Sequence, residues 1–126
     1  MDVLTVLADY LESRGVGKVG QSIFVSEMPS ETEGVLLFLT GEGLMRHTDV
    51  SRYFRGTVFV ATRAKGYQRS ADMTKAVFDV MDFEGLTSSG LRILVCQPEA
   101  LPSPFGRDES GFTEWLSSYE LALTIE

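Results

Sequence analysis

Apolar and polar positions along this chain repeat with two different periods. Over residues 2–14, Val3, Leu4, Leu7, Ala8 and Leu11 recur at helical spacing and predict an amphipathic helix. Asp2 stands where its side chain can accept from the first free N–H groups. Arg14 suits the negative C-terminal end, and Gly15 supplies a left-handed stop. A second helix is predicted over 67–83, with Met73, Ala76, Val77, Val80 and Met81 on one face. Phe78 falls away from the centre of that face, as a rim contact or as a residue shown to a partner.

Between and after the helices the pattern changes to strands. Ser22–Glu27 reads as a short strand, broken by Met28-Pro29-Ser30 and a polar turn over 31–34. Val35–Leu39 is a continuous apolar run, the pattern of a strand covered on both faces. Gly41 and Gly43 open a loop reaching to about Ser51. Phe54–Arg63 places Val58, Val60 and Thr62 on one side and Phe59, Ala61 and Arg63 on the other. Gly85–Gly90 reads as a turn, Arg92–Gln97 as a strand, and 102–111 as a Pro- and Gly-bearing loop. Trp115–Ile125 then alternates cleanly, with Trp115, Ser117, Tyr119, Leu121, Leu123 and Ile125 on one face. The order α-β-β-β-α-β-β predicts an α+β domain over 1–126. Its two helices pack on one face of a largely antiparallel sheet.

Composition narrows the function. The chain has 126 residues and a net charge of −7, so its overall field repels a polyanion and disfavours DNA binding. At this length one core suffices without disulfide or metal. The single cysteine, Cys96, lies in the apolar run Ile93–Cys96 and reads as a small buried hydrophobe. A lone cysteine builds no disulfide framework and suits a reducing cytoplasm. An acidic residue at position 2 is not how a secretory leader opens, and no apolar run approaches the ~20 residues of a membrane span.

Candidate chemistry is sparse. His47 is the only histidine and reads as a solvated side chain beside Arg46. No serine sits in a nucleophile elbow. One His and one Cys do not make a transition-metal site, and 106–111 lacks the alternating acids of a calcium loop. Gly15-Val16-Gly17 and Gly41-Glu42-Gly43 lack the context of a phosphate loop. No cofactor is expected. An enzyme would need scattered carboxylates such as Asp49, Asp108 and Glu120 to converge.

Contact residues are easier to find. Arg46, Arg52, Arg55 and Arg63 gather around the third strand, as a solvated edge that resists aggregation or as a partner surface. In Pro104-Phe105-Gly106-Arg107-Asp108, an aromatic between Pro and Gly next to Arg suits a protein interface. Candidate interface residues are therefore Arg46, Arg52, Arg55, Phe78, Phe105, Arg107 and Asp108.

Leu7-Ala8-Asp9-Tyr10-Leu11, Gly15-Val16-Gly17 and Ile23-Phe24-Val25 open the chain; Thr57-Val58-Phe59-Val60, Arg63, Gly66-Tyr67 and Ala71 follow; Pro104–Gly111 precedes the last strand. Together these resemble the tail-terminator, or minor capsid and tail-completion, proteins of long-tailed bacteriophages, over nearly the whole chain. Pro104–Gly111 is the most specific part, and Phe112 departs from the basic residue expected there. The resemblance implies a non-enzymatic virion protein, assembled in the host cytoplasm. It implies a ring, commonly hexameric, that caps the tail tube, ends its polymerisation and joins it to the head connector. DNA would pass its lumen without specific binding. Other neck components, a connector or stopper, and a small-ligand-binding α+β module are the competing readings.

Overall fold

Asp2 accepts at its Oδ1 from Leu4 N at 3.1 Å and Thr5 N at 3.4 Å, which starts helix α1, Val3–Ser13. Gly15 at φ 82 follows its end. The computed structural model describes residues 2–41, 43–46, 51–107 and 111–126, with Arg107 described in its main chain only. His47, Asp49 and Asp108 lie outside the described residues.

Among the described residues eight strands follow α1: β1 Ile23–Val25, β2 Gly34–Phe38, β3 Met45–Arg46, β4 Tyr53–Lys65, β5 Phe83–Ser88, β6 Leu91–Pro98, β7 Ser103–Arg107 and β8 Phe112–Ile125. Helix α2, Tyr67–Val80, joins β4 to β5. The sheet order is β1-β2-β4-β8-β6-β5, with β3 on β4 and β7 on β8. Every pairing is antiparallel except β1 with β2.

The expected α+β layering holds, but the order gains three strands. Gly85 lies inside β5, and only Ser89-Gly90 turns the chain into β6. The Pro102–Gly111 segment contains β7 rather than only a loop. Met45–Arg46 pairs with Phe54 and Arg55.

The backbone of the fold is the β4–β8 ladder, which runs in unbroken register from Tyr53↔Thr124 to Lys65↔Phe112. Its alternation works as expected on one face: Val58, Val60, Tyr119 and Leu121 are fully buried beneath the helices. Leu7 and Leu11 of α1, with Val77 of α2 and Met81 just after it, close the same core. Tyr10 joins the two helices by donating its hydroxyl to Val80 O at 2.9 Å. The predicted stripe on α2 shifts by a step. Ser70, Thr74 and Val77 are its buried residues, while Ala76 is exposed.

Among the described residues no helix lies over the opposite sheet face. Val35 and Leu37 enter the core, but Leu36 and Phe38 are only half-buried there, with Phe38 stacked on Phe59 at 5.5 Å. The continuous apolar run of β2 therefore reflects a partly wet aromatic face, not a strand buried on both sides. Part of this face is closed by the loop before β2. Arg63 donates from Nε to Thr32 O at 2.8 Å and from Nη2 to Pro29 O. Glu33 accepts from Lys65 N at 2.8 Å and pairs with Arg69 at 2.7 Å.

Candidate functional site

Three of the five exposed large hydrophobics among the described residues gather around the start of α2 and β7. These are Tyr67 at 60%, Leu101 at 81% and Phe105 at 55% exposure. Apolar side chains scattered singly need no explanation, whereas two aromatics and a leucine exposed on one edge form a candidate contact surface.

The local sequence explains the group. Pro104 pairs with Trp115 and Gly106 with Glu114, so Phe105 is the extra residue of a bulge. Pro104 lacks a donor, which an edge strand tolerates. Behind this edge, Trp115 stands over α2, its ring 5.4 Å from that of Tyr67. Trp115 Nε1 donates to Ser70 Oγ at 3.0 Å, and Ser70 Oγ donates to Tyr67 O at 2.8 Å. Thr74 Oγ1 donates to Ser70 O at 2.8 Å and meets Thr62 Oγ1 across the layer boundary. This hydroxyl chain satisfies the polar atoms that hold α2 against β4 and β8. Phe78, half-buried, lines a shallow recess with Leu101, Pro102 and Trp115.

A second apolar feature lies at the other end of the ladder. Val3, Leu39, Leu44, Phe54, Leu91, Leu123 and Ile125 line an open recess built from apolar side chains. Gly56 makes room for its wall: a Cβ there would stand 2.8 Å from Leu44 Cδ2 and 3.1 Å from Gly43 O. Arg46, exposed, is the strand partner of Phe54.

The candidate interface residues thus fall into two groups. Phe78, Phe105 and the main chain of Arg107 belong to the α2–β7 edge. Arg46, Arg52 and Arg55 belong to the recess end, and two of these three are engaged within the chain. Arg52, at φ 61, donates from Nε to Ile125 O and from Nη2 to the main-chain oxygen of Glu126, each at 2.9 Å. Arg55 forms an ion pair with Glu120, and its pKa is raised chiefly by that hydrogen bond. Arg63 is an internal latch on the loop 29–33 rather than part of a free basic surface. Sequence reasoning missed Tyr67 and Leu101 as surface aromatics and aliphatics. Their signals were positions beside Gly66 and Pro102, where chain direction changes.

The buried ionisable groups are poor nucleophiles. Burial, helped by the charge of Asp82, pushes the Cys96 thiol up to about 12, and its Sγ–H faces Met81 O at 3.8 Å. Tyr119 is pushed up to about 12 as well, first by burial. Its hydroxyl makes no hydrogen bond of ordinary geometry, although the nearby Ser117 hydroxyl slightly favours its ionised form. Ser117 Oγ is directed instead at Val60 O, at 3.4 Å. Among the described residues no three His, Cys, Asp or Glu side chains converge as a metal site. No helix among them is long and apolar enough to cross a membrane.

Residues 10–125 match the family model described as bacteriophage tail terminator protein, and the chain belongs to that family. It is a structural protein of the phage tail, located in the virion. Among solved structures, a chain of the virion of a native gene transfer agent particle has a similar fold. Its TM-score is 0.61 at 12% identity, over 97% of this chain and 90% of that one. A comparison with curated proteins gives no match.

Proposed function

We propose that the chain closes into a ring, hexameric as the resemblance implies, that caps the tail tube, stops its polymerisation and joins it to the head connector. The observation that carries this reading is the tail-terminator match over residues 10–125. The exposed aromatic edge supports it, since a ring of identical subunits needs a heterologous contact surface. Its partners are then further copies of the chain, the tail tube protein and the connector. A net charge of −7 suits a DNA passage, because few phosphates would be held through counterion release.

Electron microscopy and mass measurement of the purified protein, alone and with assembled tail tubes, test the reading. A ring with a central hole, seated on tube ends, is the expected result. A strict monomer that leaves tube length unrestricted and binds no tube overturns it. A ring that binds the connector but not the tube would identify another neck component instead.

A further inference from the structure

Helix α2 begins without a cap of its own. Gly66 has no side chain to accept from the first N–H groups, and the first turn holds no acidic residue. The negative charge comes from elsewhere in the chain. Glu33, on the loop between β1 and β2, accepts from Lys65 N at 2.8 Å with one oxygen and pairs with Arg69 at 2.7 Å with the other. Lys65 ends β4, and Arg69 lies in the first turn of α2, so one carboxylate spans the passage from strand to helix. The same turn carries Tyr67, whose ring stands against Trp115.

We propose that residues 26–33 form a strap that opens as a unit, and that its opening loosens the start of α2 by withdrawing Glu33. The loop before β2 then controls, from the opposite side of the sheet, how well the Tyr67 edge is ordered. This goes beyond the ring reading and stands or falls separately from it.

The strap is fixed at its ends and lightly held between them. Ser26 N donates to Leu37 O at 2.9 Å and Val35 N to Ser22 O at 2.8 Å, which pins both ends to the strands. Ser26, Glu27, Pro29, Ser30 and Glu31 are exposed, and half-buried Met28 is the apolar peg. The peg sits at Gly34, where a Cβ would stand 3.3 Å from Met28 Sδ and 2.9 Å from Phe24 Cε2. An open recess lined by Phe24, Glu27, Met28 and Pro29 leaves it partly unsupported. Strain favours opening: Ser26 at φ 67 and Glu31 at φ 56 hold left-handed backbone without being glycine. Polar contacts oppose it. Arg63 donates to Thr32 O and Pro29 O, and Glu33 holds Lys65 N and Arg69. Arg69 is 68% exposed, so its ion pair contributes little and the hydrogen bonds carry the latch. Arg63 also lies 3.9 Å from Glu114 and so keeps a partner when the strap leaves. Few buried apolar contacts and solvent-exposed latching bonds mark a segment that opens well before the whole fold does.

Amide hydrogen exchange of the purified full chain, read peptide by peptide, tests the coupling. Met28→Ala removes the peg without touching α2. It should speed exchange in 26–33 by about tenfold, as loss of a half-buried apolar side chain does. Residues 66–71 should speed up by a similar factor, while peptides of β4 and β8 keep their wild-type rates. Glu33→Ala should by itself speed exchange in 66–71. Met28→Ala added to Glu33→Ala should then speed 26–33 alone, because the connection to α2 is already cut. If Met28→Ala speeds 26–33 and leaves 66–71 unchanged, the strap is not coupled to α2 and the proposal fails. It fails equally if wild-type 26–33 exchanges as slowly as β4 and β8, since no separate strap then exists. Global unfolding of Met28→Ala would make Met28 part of the core and also overturn the proposal. None of these outcomes bears on the ring, which electron microscopy decides.

Discussion

Trp115 Nε1 on β8 donates to Ser70 Oγ on α2 at 3.0 Å, and this bond joins the last strand to the helix that carries the exposed aromatic edge. Ser70 passes the connection on to Tyr67 O. Ser70→Ala leaves the indole N–H without its partner in a part-buried position. The expected cost is about 1–2 kcal/mol in urea unfolding. Assembly should weaken as well, because Tyr67 loses its anchor. Unchanged stability with unchanged assembly would show that the hydroxyl chain is incidental.

Tyr119 supplies the opposite case. Its ring is fully buried while its hydroxyl has no hydrogen bond of ordinary geometry. Tyr119→Phe keeps the packing and removes an unsatisfied polar atom. It should be neutral or stabilising, by up to about 1 kcal/mol, with Tm raised by a few degrees. A clear loss of stability would mean that the hydroxyl bonds to an ordered water.

Alkaline pH should destabilise the fold through Cys96 and Tyr119. Their ordinary values of 9.0 and 10.0 are both pushed up to about 12 by burial. Between those limits the folded state holds protons that the unfolded chain has released, so stability is full below pH 9 and falls above it. One such group loses about 1.4 kcal/mol for each pH unit in its window. Cys96→Ala should remove the part of the decline that begins near pH 9, measured by urea unfolding from pH 8 to 11. Wild-type Cys96 should also resist alkylation at pH 8 until the chain unfolds.

Arg63 latches the loop before β2. Arg63→Lys cannot donate to Thr32 O and Pro29 O from a planar fork. It should raise amide exchange and protease cleavage within 29–33 and cost about 1 kcal/mol or more in global stability. Arg63 also lies 3.9 Å from Glu114, the strand partner of Gly106 on β7, so any loss of tail joining should follow the loss of stability. Loss of joining at normal stability would assign this loop to a partner.

Much of the fold is legible in the sequence because it depends on local periodicity. The spacing of Leu4, Leu7 and Leu11 with the Asp2 cap determines α1. The alternation of Val58, Val60 and Thr62, and of Ser117, Tyr119 and Leu121, determines both long strands and the face they bury. The motif residues from Leu7 to Gly111 also suffice for the family. What the sequence leaves open is set by pairing between distant segments. Phe83–Ser88 has no clean alternation, yet it becomes β5 because β6 offers it a strand edge. Ser103–Arg107 becomes β7, despite Pro104 and Gly106, because residues 113–116 of β8 have a free side to pair. Ser70 and Thr74 look like surface positions, but a hydroxyl chain to Thr62 and Trp115 lets them be buried while Ala76 stays exposed. The candidate arginines look alike in one dimension. Tertiary structure engages Arg52, Arg55 and Arg63 within the chain and leaves Arg46 exposed beside an apolar recess. Periodicity reports which side of an element is apolar. Only the packed sheet decides which apolar side chains find cover within the subunit and which stay exposed.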